Sequence, residues 1–163
     1  MSADSRRVKT RSALLLPLAV LLFATPAVAA PDIYPAPEQA PADVAAAVQT
    51  AAATHRRVIL DFGGNWCPDC RVLDTYFHDA ANAPLLEAGF VLVHVNVGRL
   101  DQNLDLAERY EVPLKKGVPA LAVLDAEGKR LYSQQTGEFE AMRKMQSSAV
   151  TDFLTQWKPA PAQ

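Results

Sequence analysis

Hydrophobic and polar positions follow two periods along this chain, and the changes of period lay out a succession of helices and strands. Val44, Ala47, Val48 and Ala51 share one helical face after Asp43, a good N-cap residue, and predict a first helix to about Ala53. Val58-Ile59-Leu60-Asp61-Phe62 is short, mostly apolar and closed by Gly63-Gly64, the pattern of a strand buried on both faces within a parallel sheet. Phe90 to Val97 is a second such run. Between them, Val72, Leu73, Tyr76 and Phe77 fall on one side of a helix from Cys67 to about Asp79, so strand, helix and strand suggest a parallel crossover. Leu104 to Tyr110 predicts a further helix, Ala120 to Leu124 a third strand, Asp125-Ala126-Glu127-Gly128 a hairpin turn and the residues near Leu131 a fourth strand. Val150, Phe153, Leu154 and Trp157 recur at i, i+3, i+4 and i+7 after Ser147 and Ser148, which predicts an amphipathic closing helix. The order α-β-α-β-α-β-β-α describes an α/β fold, a small mixed central sheet with helices on both faces.

The two ends of the chain break this pattern. Arg6, Arg7, Lys9 and Arg11 precede the apolar run Ala13 to Ala24, and Ala27-Val28-Ala29 has the small residues a signal peptidase accepts. Residues 1–29 therefore read as a signal peptide to the periplasm or beyond. An uncleaved anchor is the weaker alternative, because Pro17 interrupts a run shorter than the ~20 residues of a spanning helix. Pro31, Pro35, Pro37 and Pro41 make residues 30–41 an expected extended, largely unpacked leader. One domain over residues 42–158 follows, with residues 159–163 as a tail; at roughly 150 residues per domain, 163 residues leave no room for a second.

Composition narrows the chemistry. Sixteen Lys and Arg against eighteen Asp and Glu give a net charge of −2, and no basic stripe follows the first eleven residues, so nucleic acid is not an expected partner. Only two cysteines occur. They stand in Trp66-Cys67-Pro68-Asp69-Cys70, directly after a predicted buried strand and at the opening of a predicted helix, the context in which a CxxC is a redox motif. At the helix N-terminus the unpaired N–H groups and the dipole favour a thiolate at Cys67, which makes it the candidate nucleophile. Cys70, one turn on, can resolve a mixed disulfide formed by Cys67. Asp69 puts a negative charge beside that thiolate and is expected to make the disulfide less oxidising. A purely structural disulfide and a zinc half-site remain as alternatives. The first would constrain only a very short loop; the second lacks companion ligands, with His55, His78 and His94 scattered.

Ile59-Leu60-Asp61-Phe62, Trp66-Cys67-Pro68-Asp69-Cys70, Val95-Asn96-Val97 and Gly117-Val118-Pro119, in this order and spacing, resemble the thioredoxin superfamily over roughly Ala42 to Trp157. The resemblance implies a thioredoxin fold and thiol-disulfide exchange on protein substrates, with no metal or organic cofactor. It implies that Asp61 is a buried catalytic acid beneath Cys67 and Cys70, that Pro119 is a cis-proline facing them, and that the backbone of Val118 pairs with substrate. Trp66 would shield the sulfurs and border the substrate site, or serve as packing. His94 falls where thioredoxin carries a lysine near the buried acid, so His94 and Asp61 are expected to share a proton. The sequence departs from thioredoxin in the dipeptide Pro68-Asp69, in Gly63-Gly64-Asn65 before Trp66, and in a longer stretch from Gly98 to Gly117. These departures and the signal peptide are closer to secreted thioredoxin-like proteins and the periplasmic domain of membrane thiol:disulfide interchange reductases. The expected partners are protein thiols and disulfides, with a membrane thiol-disulfide reductase as electron donor, and the expected state is a monomer. A specialised role in cytochrome c maturation and a non-enzymatic peptide-binding module are the competing readings.

Overall fold

The computed structural model describes residues 31–160. The signal-peptide reading and the last three residues of the tail lie outside them. Nine principal elements follow one another: α1 (Ala40–Thr54), β1 (Arg57–Gly63), α2 (Pro68–Phe77), α3 (Ala83–Gly89), β2 (Phe90–Asn96), α4 (Leu104–Arg109), β3 (Ala120–Leu124), β4 (Arg130–Ser133) and α5 (Ser148–Trp157). The sheet order is β2-β1-β3-β4, with β1 parallel to β2 and antiparallel to β3, and β3 antiparallel to β4. This is a thioredoxin fold with a mixed four-stranded sheet. No described helix is long and apolar enough to cross a membrane.

Strand alternation divides the core into two layers. Leu60, Phe62, Val95 and Ala122 pack against Val44, Ala47 and Ala51 of α1 and against Leu106 of α4. Ile59, Leu121 and Val123 pack on the other face against Leu73 and Phe77 of α2, Leu86 of α3 and Phe153 of α5. Each large apolar side chain fully buried here contributes about 1.5–3 kcal/mol, which explains why β1 is apolar from Val58 to Phe62 except at one position. That position is Asp61, on the α2 face and 0% exposed. The parallel register sets Asp61 beside His94, and the antiparallel register sets it beside Leu121.

Four expectations need correction. The proline-rich segment is not an unpacked leader: the compact unit begins at Pro31, Tyr34 is 2% exposed, and Pro37–Gln39 forms a turn of 3-10 helix leading into α1. Prolines lack N–H donors but keep their carbonyls, and these accept from side chains of the domain. Asn96 Nδ2 donates to Pro35 O (2.7 Å), Asn103 Nδ2 to Pro37 O (2.8 Å) and Arg71 Nη1 to Pro31 O (3.1 Å). The first helix begins at Ala40 rather than after Asp43, because Pro41 is tolerated in a first turn, where Asp43 then lies. The helix from Cys67 stops at Phe77, and α3 follows as an unforeseen element. Its buried N-terminal Asn82 is held by α5, with Thr151 Oγ1 donating to Asn82 Oδ1 (2.6 Å). Ser147 precedes α5 without capping it, because its hydroxyl is engaged by Asp79 and Asn82.

Candidate active site

β1 delivers the chain to Gly63, and the turn Gly64-Asn65-Trp66 carries it to Cys67, which caps α2. Cys67 has extended backbone (φ −90°, ψ 112°), and its Sγ accepts the Cys70 N–H at 3.1 Å. Pro68 occupies the first turn, where no N–H is needed. Cys67 and Cys70 are joined in a disulfide, with Cα atoms 5.3 Å apart. Both cysteines are buried, Cys70 at 0% exposure and Cys67 at 3%, so what little surface the pair presents belongs to Cys67. The Val118–Pro119 peptide bond is cis, and Val118 O lies 3.6 Å from Cys67 Sγ. Gln134, buried and not anticipated from sequence, supports this loop by donating from Nε2 to Pro119 O (3.3 Å) and accepting the Leu121 N–H at Oε1 (3.0 Å). Trp66 is 40% exposed, so it stands at the rim and not in the core; its Nε1–H donates to Gly98 O, and the Arg99 guanidinium lies 5.2 Å from the ring.

Beneath the disulfide, Asp61 Oδ2 has two partners, the hydroxyl of Tyr34 at 2.6 Å and Nδ1 of His94 at 2.9 Å. Its Oδ1 is buried without a hydrogen-bond partner. His94 continues the chain of charges, with Nε2 3.4 Å from Asp74 Oδ1. Burial alone would lower the His94 pKa, but the hydrogen bonds and charges of Asp61 and Asp74 prevail and raise it to about 9. The imidazole is therefore cationic at neutral pH and donates from both nitrogens. The His94 hydrogen bond holds the Asp74 carboxyl below its usual range, against a smaller opposing effect of burial. Burial, then the Asp61 charge, lifts the Tyr34 phenol well above its ordinary range, so it keeps its proton as the donor to Asp61. Tyr34 and Asp74 escaped the sequence reading. Asp74 carried a signal, being one turn beyond Cys70 on the same helix face; Tyr34 carried none.

Asp69 does not present a free charge to the sulfurs. Its Oδ1 accepts the Arg143 N–H (2.9 Å) and its Oδ2 accepts from Arg143 Nε (3.1 Å), which ties the start of α2 to the 3-10 turn Met142–Lys144. The paired guanidinium offsets the field that an isolated carboxylate would exert on Cys67. Among the described residues, no group of three or more His, Cys, Asp or Glu side chains is placed to hold a metal ion.

The fold, with a CxxC disulfide at a helix start beside a cis-proline, defines a thiol-disulfide oxidoreductase. The sequence model of a thioredoxin-like family matches residues 38–126, and the chain belongs to that family. It is 33% identical over 111 residues to the thiol:disulfide interchange protein DsbD of Pseudomonas fluorescens, a match covering 63% of this chain and 18% of that protein. The chain thus spans about a fifth of the length of that curated relative. A disulphide isomerase from Xylella fastidiosa superposes with a TM-score of 0.75 at 34% identity, over 78% of this chain and 98% of that one.

Proposed function

We propose that this protein exchanges disulfides with protein substrates in the periplasm, working as a reductase or interchange enzyme. The observation that carries the reading is the placement of the pair: Cys67 caps the positive end of α2 beside the cis Val118–Pro119 bond and keeps the pair's small exposure, while Cys70 is fully buried. Reduced Cys67, as thiolate, attacks a substrate disulfide. One substrate sulfur leaves with the electron pair, and Cys67 holds the other in a mixed disulfide. Cys70 then attacks Cys67 Sγ, the Cys67–Cys70 bond forms, and the second substrate sulfur leaves, so two electrons have passed to the substrate. Val118 and cis-Pro119 offer backbone beside Cys67 with which an extended substrate segment can pair, with Trp66 at the rim; Asp61 is the proton acceptor for Cys70, tuned by His94.

The basic and apolar N-terminus with its Ala27-Val28-Ala29 site supports export. The likeness to a thiol:disulfide interchange protein and to a disulphide isomerase supports exchange on proteins. An oxidising compartment would return the pair to the disulfide, so sustained reduction needs an electron donor, for which a membrane thiol-disulfide reductase is the fitting class. Insulin reduction by dithiothreitol tests the activity. Acceleration by the wild type and none by Cys67→Ser is the expected result; an inert wild type would refute the reading.

A further inference from the structure

Tyr34 belongs to the segment that was expected to lie outside the domain, yet it forms one buried cluster with Cys67 and Cys70. Its hydroxyl donates to Asp61 Oδ2 at 2.6 Å. The same hydroxyl also borders Cys70, as Gly63 shows. A Cβ built on Gly63 would lie 2.5 Å from Tyr34 Oη and 2.7 Å from Cys70 Sγ, both inside the 3.0 Å that real Cβ atoms respect. Hydroxyl and sulfur therefore flank the one point of β1 left without a side chain, which places the phenol beside Cys70 while it is bonded to Asp61.

We propose that Tyr34 is the proton relay between Cys70 and Asp61 during resolution of the mixed disulfide. This rests on the dithiol reading above. As Cys70 Sγ bonds to Cys67 Sγ, the bond from Cys67 to the substrate sulfur breaks, and that sulfur leaves as a thiolate with the electron pair. The Cys70 proton passes to Tyr34 Oη while the Tyr34 proton passes to Asp61 Oδ2. Tyr34 ends neutral, Asp61 ends protonated, and the oxidised Cys67–Cys70 pair has given two electrons to the substrate disulfide. The phenol suits this role because burial and the Asp61 charge keep it protonated across the working range, so it can pass a proton on only by receiving another.

The groups that set the pH dependence come from every side of the acid. Tyr34 faces it from the N-terminal segment and His94 from β2, while Asp74 on α2 stands behind His94, with Arg71 and His78 beside Asp74. His94 also lines an open cleft with Ile33, Pro35 and Asp43.

Tyr34→Phe keeps the ring and removes the hydroxyl. Stopped-flow kinetics on a model peptide disulfide, across pH, separate formation of the mixed disulfide by Cys67 from its resolution by Cys70. The expected result is resolution slowed by about tenfold or more near pH 7, with formation within about twofold of wild type. Unchanged resolution, or equal slowing of both steps, would overturn the relay. A measurement on the wild type needs no variant to fold: rates in mixtures of H2O and D2O. A relay moves two protons together, so the resolution rate should bow with deuterium fraction; a straight line overturns it. An active wild type matched by Tyr34→Phe overturns the relay alone, whereas a wild type that exchanges no disulfide overturns the proposed function with it.

Discussion

Asn65 clasps the backbone of Tyr34 from both sides. Its Oδ1 accepts the N–H groups of Ile33 (2.8 Å) and Tyr34 (3.0 Å), and its Nδ2 donates to Tyr34 O (2.8 Å). The side chain just before the Trp66-Cys67 pair thus holds a residue 31 positions earlier against the redox centre. With a net worth of about 0.5–1.5 kcal/mol for each hydrogen bond, Asn65→Ala should cost roughly 2–4 kcal/mol. Urea unfolding of the oxidised protein reads this directly. A loss below about 0.5 kcal/mol would mean that the segment is held by other contacts.

Cys70→Ser should accumulate mixed disulfides through Cys67, and Cys67→Ser should accumulate none, because the fully buried Cys70 cannot meet a substrate. Non-reducing electrophoresis of periplasmic extract, followed by mass spectrometry of the adduct, distinguishes the two. Adducts formed only by Cys67→Ser would reverse the roles.

His94 makes stability depend on pH in a defined window. Its pKa in the folded protein, about 9, lies above the ordinary 6.5, so its contribution is complete below about pH 6.5 and is lost as pH rises through about 9. The span corresponds to roughly 3 kcal/mol. The difference in unfolding free energy between wild type and His94→Gln should therefore be largest at pH 6 and small at pH 10. A difference that does not change with pH would remove His94 from the acid's network.

The Asp69–Arg143 pair should tune the reduction potential only slightly. Arg143 is well exposed, and such pairs are worth about 0.2–1 kcal/mol, which for two electrons is below about 30 mV. Asp69→Asn should raise the potential within that bound, by removing a charge that disfavours the Cys67 thiolate. Arg143→Ala should lower it, by uncovering that charge. Equilibration with glutathione measures both; shifts in the same direction would exclude an electrostatic cause.

The apolar run Val58 to Phe62, the run Ala120 to Leu124 and the Cys67 helix start were legible because each is specified locally, by unbroken burial or by a cap. The departure Gly63-Gly64-Asn65 was visible in the sequence as a difference from thioredoxin, but its reason was not. Gly63 leaves room for Tyr34 and Cys70, and Asn65 binds the bend at Ile33 and Tyr34, distant in sequence. Four prolines in that segment suggested solvent exposure because proline removes donors, yet the contacts here use carbonyls, which proline retains. The charge of Asp69 was read without Arg143, which is 74 residues away. α3 went unseen because its seven residues offer no full apolar period and bury only Leu86 and Gly89.

The segment from Pro31 to Pro37 is held by partners that come later in the chain. Tyr34 leaves the ribosome before Asp61, Asn65 and Asn96, and the bonds that fix its neighbourhood span 27, 31 and 61 residues of chain. Asp61 lies in β1 and Asn96 ends β2, so these partners stand together only where the β1–β2 register is formed, and closing loops of this length costs entropy that the register must offset. A half-assembled chain can therefore carry both cysteines, and even join them, before it has any means of managing their protons. Controlled exchange is then a property of the finished domain, and an immature molecule meeting other thiols behaves as a simple dithiol.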